Sequence, residues 1–190
     1  MVKLLIGMFL WWAGHMFKRL APALRRDMST ALGDLPAKGI FGLVLLVATW
    51  LIVSGYRQAG TTPLYTPVAG AGWLTDLLML VAILVFGAGH AGGQLAARIR
   101  HPMLWGTAIW AFAHLLVNGD IASIILFGGL GVWALAEMRL INQSEGPWER
   151  PMPGDRTRDM KLALATLFIY FVIAGIHWLS GINPFQGTYT

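Results

Sequence analysis

Apolar residues fall into six blocks parted by shorter polar stretches: Val2 to Phe17, Gly39 to Tyr56, Gly72 to Gly89, Met103 to Val117, Ile121 to Met138 and Leu162 to Leu179. Each holds 15 to 18 residues, at the short end of the ~20 that carry a helix across a hydrocarbon core of ~30 Å. A backbone in lipid has no water to bond, so such blocks fold as helices. Asp76 and Glu137 are the only acids inside them, and both stand near block ends. The pattern predicts an all-α, polytopic membrane helix bundle of about six transmembrane helices. Only Asn118-Gly119-Asp120 links the fourth and fifth blocks, which forces an antiparallel hairpin. Asp120, just before Ile121, is placed to cap the fifth helix, and Gly119 to supply a backbone angle that other residues resist.

The remaining stretches read as connections. Residues 18–38 form one basic loop, and Asn142 to Arg158, rich in Pro, Gly and mixed charge, forms another. Thr61-Thr62-Pro63-Leu64-Tyr65-Thr66-Pro67 is extended, because each proline turns its predecessor away from helix. The start resembles a signal peptide, but Met16-Phe17-Lys18-Arg19 offers no small-residue cleavage site, so the first helix is expected to be retained. There is no internal repeat, and a single integral membrane domain is expected over 1–190.

Composition agrees. Of 190 residues, 56% are hydrophobic and 12% charged, about half the charge of a soluble domain. The net charge of +5 lies in the connections, which excludes a nucleic-acid reading and makes the lipid bilayer the partner. Lys18, Arg19, Arg25, Arg26, Lys38, Arg98, Arg100, Arg139, Arg150, Arg156, Arg158 and Lys161 share one side, against Lys3 and Arg57 on the other. Basic loops stay cytoplasmic. The chain is thus expected in a bacterial inner membrane, multi-pass, with both termini periplasmic. With no cysteine, disulfides, thiolate catalysis and tethered c-type haem are excluded.

An ionisable side chain in lipid needs a partner, water or a cofactor. All five histidines lie in or beside the blocks: His15, His90, His101, His114 and His177. Each has a plain reading, an imidazole bonded to a nearby backbone carbonyl. The alternative is iron: with thiolate excluded, histidine-held, non-covalent haem is the leading metal site, walled by aromatics such as Trp11, Trp12 and Trp110. Depth bears on which histidines pair. At 1.5 Å per residue, His15 lies roughly 18 Å from Lys3, and His114 roughly 6 Å from Asn118 on the same side. By depth alone His114 matches His177, and His15 matches His101.

The most distinctive stretch is Arg100-His101-Pro102-Met103-Leu104-Trp105-Gly106, continuing through Trp110, Ala113-His114 and Asn118-Gly119-Asp120. With His15 and Ala21-Pro22-Ala23-Leu24-Arg25, with Pro63-Leu64-Tyr65 and Pro67, and with His177, Leu179, Gly181 and Pro184, the chain resembles the NnrU family of bacterial membrane proteins. That family is associated with denitrification and nitric-oxide metabolism, and is similar to 15-cis-zeta-carotene isomerase, a membrane enzyme using haem b. The resemblance implies haem b held by His15 and His114, in a redox-gated isomerase with a long apolar substrate or a nitric-oxide-linked component. The neighbouring Trp11 and Trp110 read as pocket walls, and Asp120, if not simply a cap, as a carboxylate that steers His114 or a haem propionate. His101 and His177 are the alternative ligands.

Arg100-His101-Pro102 with Trp105 and Gly106 also looks like the S-adenosylmethionine segment of isoprenylcysteine and phospholipid methyltransferases, with Glu137 as a later acidic partner. A third possibility is a non-catalytic assembly factor whose polar motif contacts another membrane subunit.

Overall fold

The computed structural model describes residues 1–185. Seven helices account for most of them: α1 (Val2–Leu20), α2 (Pro22–Leu32), α3 (Asp34–Arg57), α4 (Ala71–Ala91), α5 (Pro102–Leu115), α6 (Ile121–Glu145) and α7 (Arg156–Leu179). Four of these, α3, α4, α6 and α7, are long and apolar enough to cross a membrane. The other two expected spans fall short by that measure. Helix α5 has 14 residues, about 21 Å of rise, and α1 carries Lys3, Lys18 and Arg19 within its length.

Residues 18–38 differ from the expected loop. Pro22 opens α2, an 11-residue helix with no buried residue. Proline suits a first helical position, where its missing N–H would have no partner. Arg25 of α2 reaches over the Phe41 ring, 4.9 Å from its centroid. Leu24 and Leu32 stay exposed. Several other boundaries move outward, with α3 starting at Asp34, α6 running on to Glu145 and α7 starting at Arg156, while α5 stops at Leu115, short of the expected Val117. The last start has a local cause: Asp155 caps α7 by accepting from the Thr157 amide at 3.1 Å.

Glycines set how closely the helices pack. A Cβ on Gly55 of α3 would lie 2.3 Å from the Leu4 amide nitrogen of α1, and one on Gly7 would lie 2.7 Å from that of Ile52. Backbones meet there, as small residues allow between helices in lipid. The pairings 4 with 55 and 7 with 52 make α1 and α3 antiparallel. Gly106 of α5 does the same against Ala82 and Phe86 of α4, and Thr75 donates to the Ala113 carbonyl at 3.0 Å, so α4 and α5 are antiparallel too. Helix α7 packs on α4, with Leu162 against Gly87. Helix α6 lies between α1 and α5, Gly129 meeting Met8 and Gly131 meeting Ala111.

Both ends are tied. At one end the 58–70 loop joins the α5–α6 turn. Leu64 and Tyr65 amides donate to the Gly119 carbonyl (2.7 and 3.0 Å), the Ile121 amide to Thr62, and the Tyr65 hydroxyl to the Leu115 and Asn118 carbonyls. Burial, then the Asp120 charge, raises the Tyr65 pKa above the usual phenol value. Gly119 is needed for space rather than for a backbone angle: its φ is not positive, but a Cβ would lie 2.0 Å from the Tyr65 carbonyl oxygen. At the other end Asp159 of α7 accepts the amides of Gln94 (2.9 Å) and Leu95 (3.3 Å), pinning the α4–α5 connection.

Helix α6 is not uniform. After its first turn, residues Ile124–Gly128 wind as a π-helix before α-geometry resumes at Gly129. Single π turns inside helices often mark functional positions.

Candidate functional site

That π turn borders a largely apolar cavity between helices that holds two histidines. The cavity, about 390 Å³, lies among α4, α5, α6 and α7. His114 comes from α5 and His177 from α7. Phe127 of the π turn stacks on the His114 ring, with centroids 4.5 Å apart and planes 23° from parallel, and Trp110 lies 5.0 Å away. Met79, Ile83 and Ile173 supply apolar wall, while Tyr56, Asp76, Asn118 and Tyr170 supply polar groups.

The ring nitrogens are already sorted. His114 Nδ1 lies 2.9 Å from the Trp110 carbonyl, and His177 Nδ1 lies 2.8 Å from that of Ile173. A carbonyl only accepts, so Nδ1 carries the proton in both. In a neutral imidazole that leaves the lone pair on Nε2. Each residue takes its own helix carbonyl one turn back, fixing tautomer and ring direction as a ligating histidine requires. The plain reading of these histidines and the metal reading therefore coincide in geometry.

Asp120 serves the backbone. Its carboxylate accepts the Ser123 amide at 2.9 Å and the Ser123 hydroxyl at 2.5 Å, and that hydroxyl meets the Tyr56 hydroxyl at 2.9 Å. It caps α6 and, among the described residues, bonds Ser123 rather than His114. Asp76 has its partner on the neighbouring helix, a hydrogen bond with Tyr170.

His15 sits elsewhere. Its Nδ1 bonds the Trp11 carbonyl at 2.9 Å, and its ring lies 4.3 Å from Trp11 and 4.8 Å from Trp133. One turn further along each helix, Arg19 of α1 pairs with Glu137 of α6. The structure brings His114 and His177 to one cavity and seats His15 in this separate α1–α6 seam. Trp133 and the π turn were not singled out in the sequence; the Gly128-Gly129 pair beside Phe127 was the one visible signal of irregular winding.

The other motif residues part company. His101 Nε2 meets Asn142 Oδ1 at 2.8 Å, Arg100 donates to the Gly146 carbonyl at 2.8 Å, and Trp105 is 45% exposed nearby. Gly106 is turned into the α4 contact, and Glu137 into its pair with Arg19. His90 stacks on Phe86 at the end of α4. The five-residue set expected for S-adenosylmethionine thus does not face one opening.

A family model described as NnrU protein matches residues 3–184. No curated protein and no solved structure matches the chain.

Proposed function

Because the chain belongs to the NnrU family along nearly its whole length, we propose that it is a haem-b-binding, multi-pass protein of the bacterial inner membrane. In this reading α1, α3, α4, α5, α6 and α7 all cross, and the basic end of the bundle faces the cytoplasm. The carrying observation is the shared cavity of His114 and His177, each with Nδ1 committed to its own helix and Nε2 left as a donor to metal.

The residues present fit the group. Two imidazoles match the iron ligation of non-covalent haem, and Phe127, Trp110 and Met79 give the apolar walls that hold a macrocycle. Among the described residues no lysine or arginine lines the cavity, so haem carboxylates would depend on Asn118, the tyrosine hydroxyls and water. Bound haem would supply an iron that changes oxidation state and takes up a small or unsaturated ligand. The chain's own part is to orient the two imidazoles, to keep the walls dry through Phe127 and Leu126, and to hold the cavity's polar side with the Asp76–Tyr170 bond. Such a site serves either a redox-gated isomerase with a long apolar substrate or a nitric-oxide-linked redox component.

The absorption spectrum of the detergent-purified protein tests this. A Soret band that sharpens on reduction, with pigment extractable by acid acetone, is expected. His114→Ala and His177→Ala should each lose most of it, while His15→Ala keeps it. If the protein stays colourless after haem addition, the reading fails; if His15→Ala bleaches it and His177→Ala does not, the pair is His15 and His114.

A further inference from the structure

At the basic end of the bundle, α5 and α6 border a second opening of about 550 Å³. Arg100, His101 and Trp105 reach it from the start of α5, and Met138, Arg139 and Asn142 from α6. Two bonds brace its walls, His101 to Asn142 and Arg100 to the Gly146 carbonyl. Arg139 is exposed, and among the described residues its side chain has no ion pair or hydrogen bond.

Among the described residues no carboxylate lines this opening. The two acids of the adjoining stretch of α6, Glu137 and Glu145, both turn to Arg19. Helix α5 starts here at Pro102 without a side-chain cap, so its first-turn amides add to the positive potential. Two guanidiniums, an imidazole and an uncapped helix start therefore converge with nothing negative among them.

The setting decides which anion suits them. Exposed Trp105 and Leu135 line the same opening, giving apolar surface directly beside the charges. An indole half in water and half in hydrocarbon marks headgroup depth. Basic pockets between helices at that depth take phospholipid headgroups. We propose that this cleft binds the phosphate of an anionic phospholipid, with Arg100 and Arg139 holding the headgroup and Trp105 and Leu135 meeting its acyl chains. This site is separate from the histidine cavity and does not depend on haem.

Native mass spectrometry of the full chain, released from micelles doped with phosphatidylglycerol or phosphatidylcholine, tests the proposal. The wild type should retain phosphatidylglycerol preferentially. Arg139→Gln should weaken that retention about fivefold, the worth of one arginine near headgroups, while Arg26→Gln, an exposed charge on α2, leaves it unchanged. Equal retention of the two lipids, or equal losses in the two variants, would overturn it. Inorganic phosphate supplies the other arm. If phosphate alone raises the melting temperature of lipid-free wild type as much as phosphatidylglycerol does, and Arg139→Gln abolishes the gain, the cleft serves a soluble phosphate and the lipid proposal fails.

Discussion

Arg19 of α1 and Glu137 of α6 form an ion pair inside the bundle, and the second carboxylate oxygen of Glu137 is buried with no hydrogen-bond partner among the described residues. The two sides are unequal. The Glu137 side chain is 7% exposed and that of Arg19 18%, and Arg19 also has Glu145 at 3.8 Å. Removing the arginine strands a buried charge; removing the acid leaves a cation that still reaches another acid. Arg19→Ala should therefore cost about 3–5 kcal/mol, and Glu137→Gln distinctly less. Thermal unfolding in detergent checks the order, and equal losses would show that the pair contributes through packing alone.

Asp120 gives a sharper contrast. As a cap it accepts the Ser123 amide, a role asparagine fills almost as well. Asp120→Asn should melt close to wild type, whereas Asp120→Ala should lose about 1 kcal/mol. A large loss in the asparagine variant would mean that the negative charge itself is needed near Ser123 and Tyr56.

Glycine substitutions should separate contact from freedom. Gly55→Ala places a Cβ against the Leu4 backbone and should cost about 1–3 kcal/mol as α1 and α3 are forced apart. Gly175 of α7 has nothing within 4 Å of its Cβ position, so Gly175→Ala should be neutral or gain up to about 1 kcal/mol. Melting curves of the two single variants decide it; a stable Gly55→Ala would mean that the helices slide without loss.

Charge asymmetry makes a prediction about orientation. Reporters fused near Gly154 should score cytoplasmic, and reporters fused after Thr190 periplasmic, since twelve of the fourteen Lys and Arg residues fall at one end. The opposite result at either site would remove the six-pass arrangement.

Much of this architecture can be read from the chain before any coordinates. Apolar blocks of helical length locate six of the seven helices, because length and hydropathy dominate in lipid. The seventh, α2, has neither; it is a short polar helix started by Pro22, and its flank of basic residues reads as a loop. The Asp120 cap is legible because it depends on adjacent residues. Gly119 is legible as necessary but for a different reason, since the Tyr65 carbonyl that excludes a side chain comes from 54 positions earlier in the sequence. In the same way, depth arithmetic along α5 and α7 matches His114 with His177, while only packing reveals that Trp133 stands over His15. Of the S-adenosylmethionine set, Arg100, His101 and Trp105 share one opening, while Gly106 and Glu137 lie on helix faces that linear spacing does not distinguish.

The π turn at Ile124–Gly128 has an effect far from the cavity it lines. A π turn holds one residue more than α-geometry would, and each residue advances an α-helix by about 100°. Shortening this segment by one residue would leave Ser123 and Asp120 where they are and rotate everything after it. Trp133 would leave His15, and Glu137 would swing away from Arg19. One residue of chain length thus sets the phase between the two halves of α6, keeping the cavity at one end and the ion pair at the other in step.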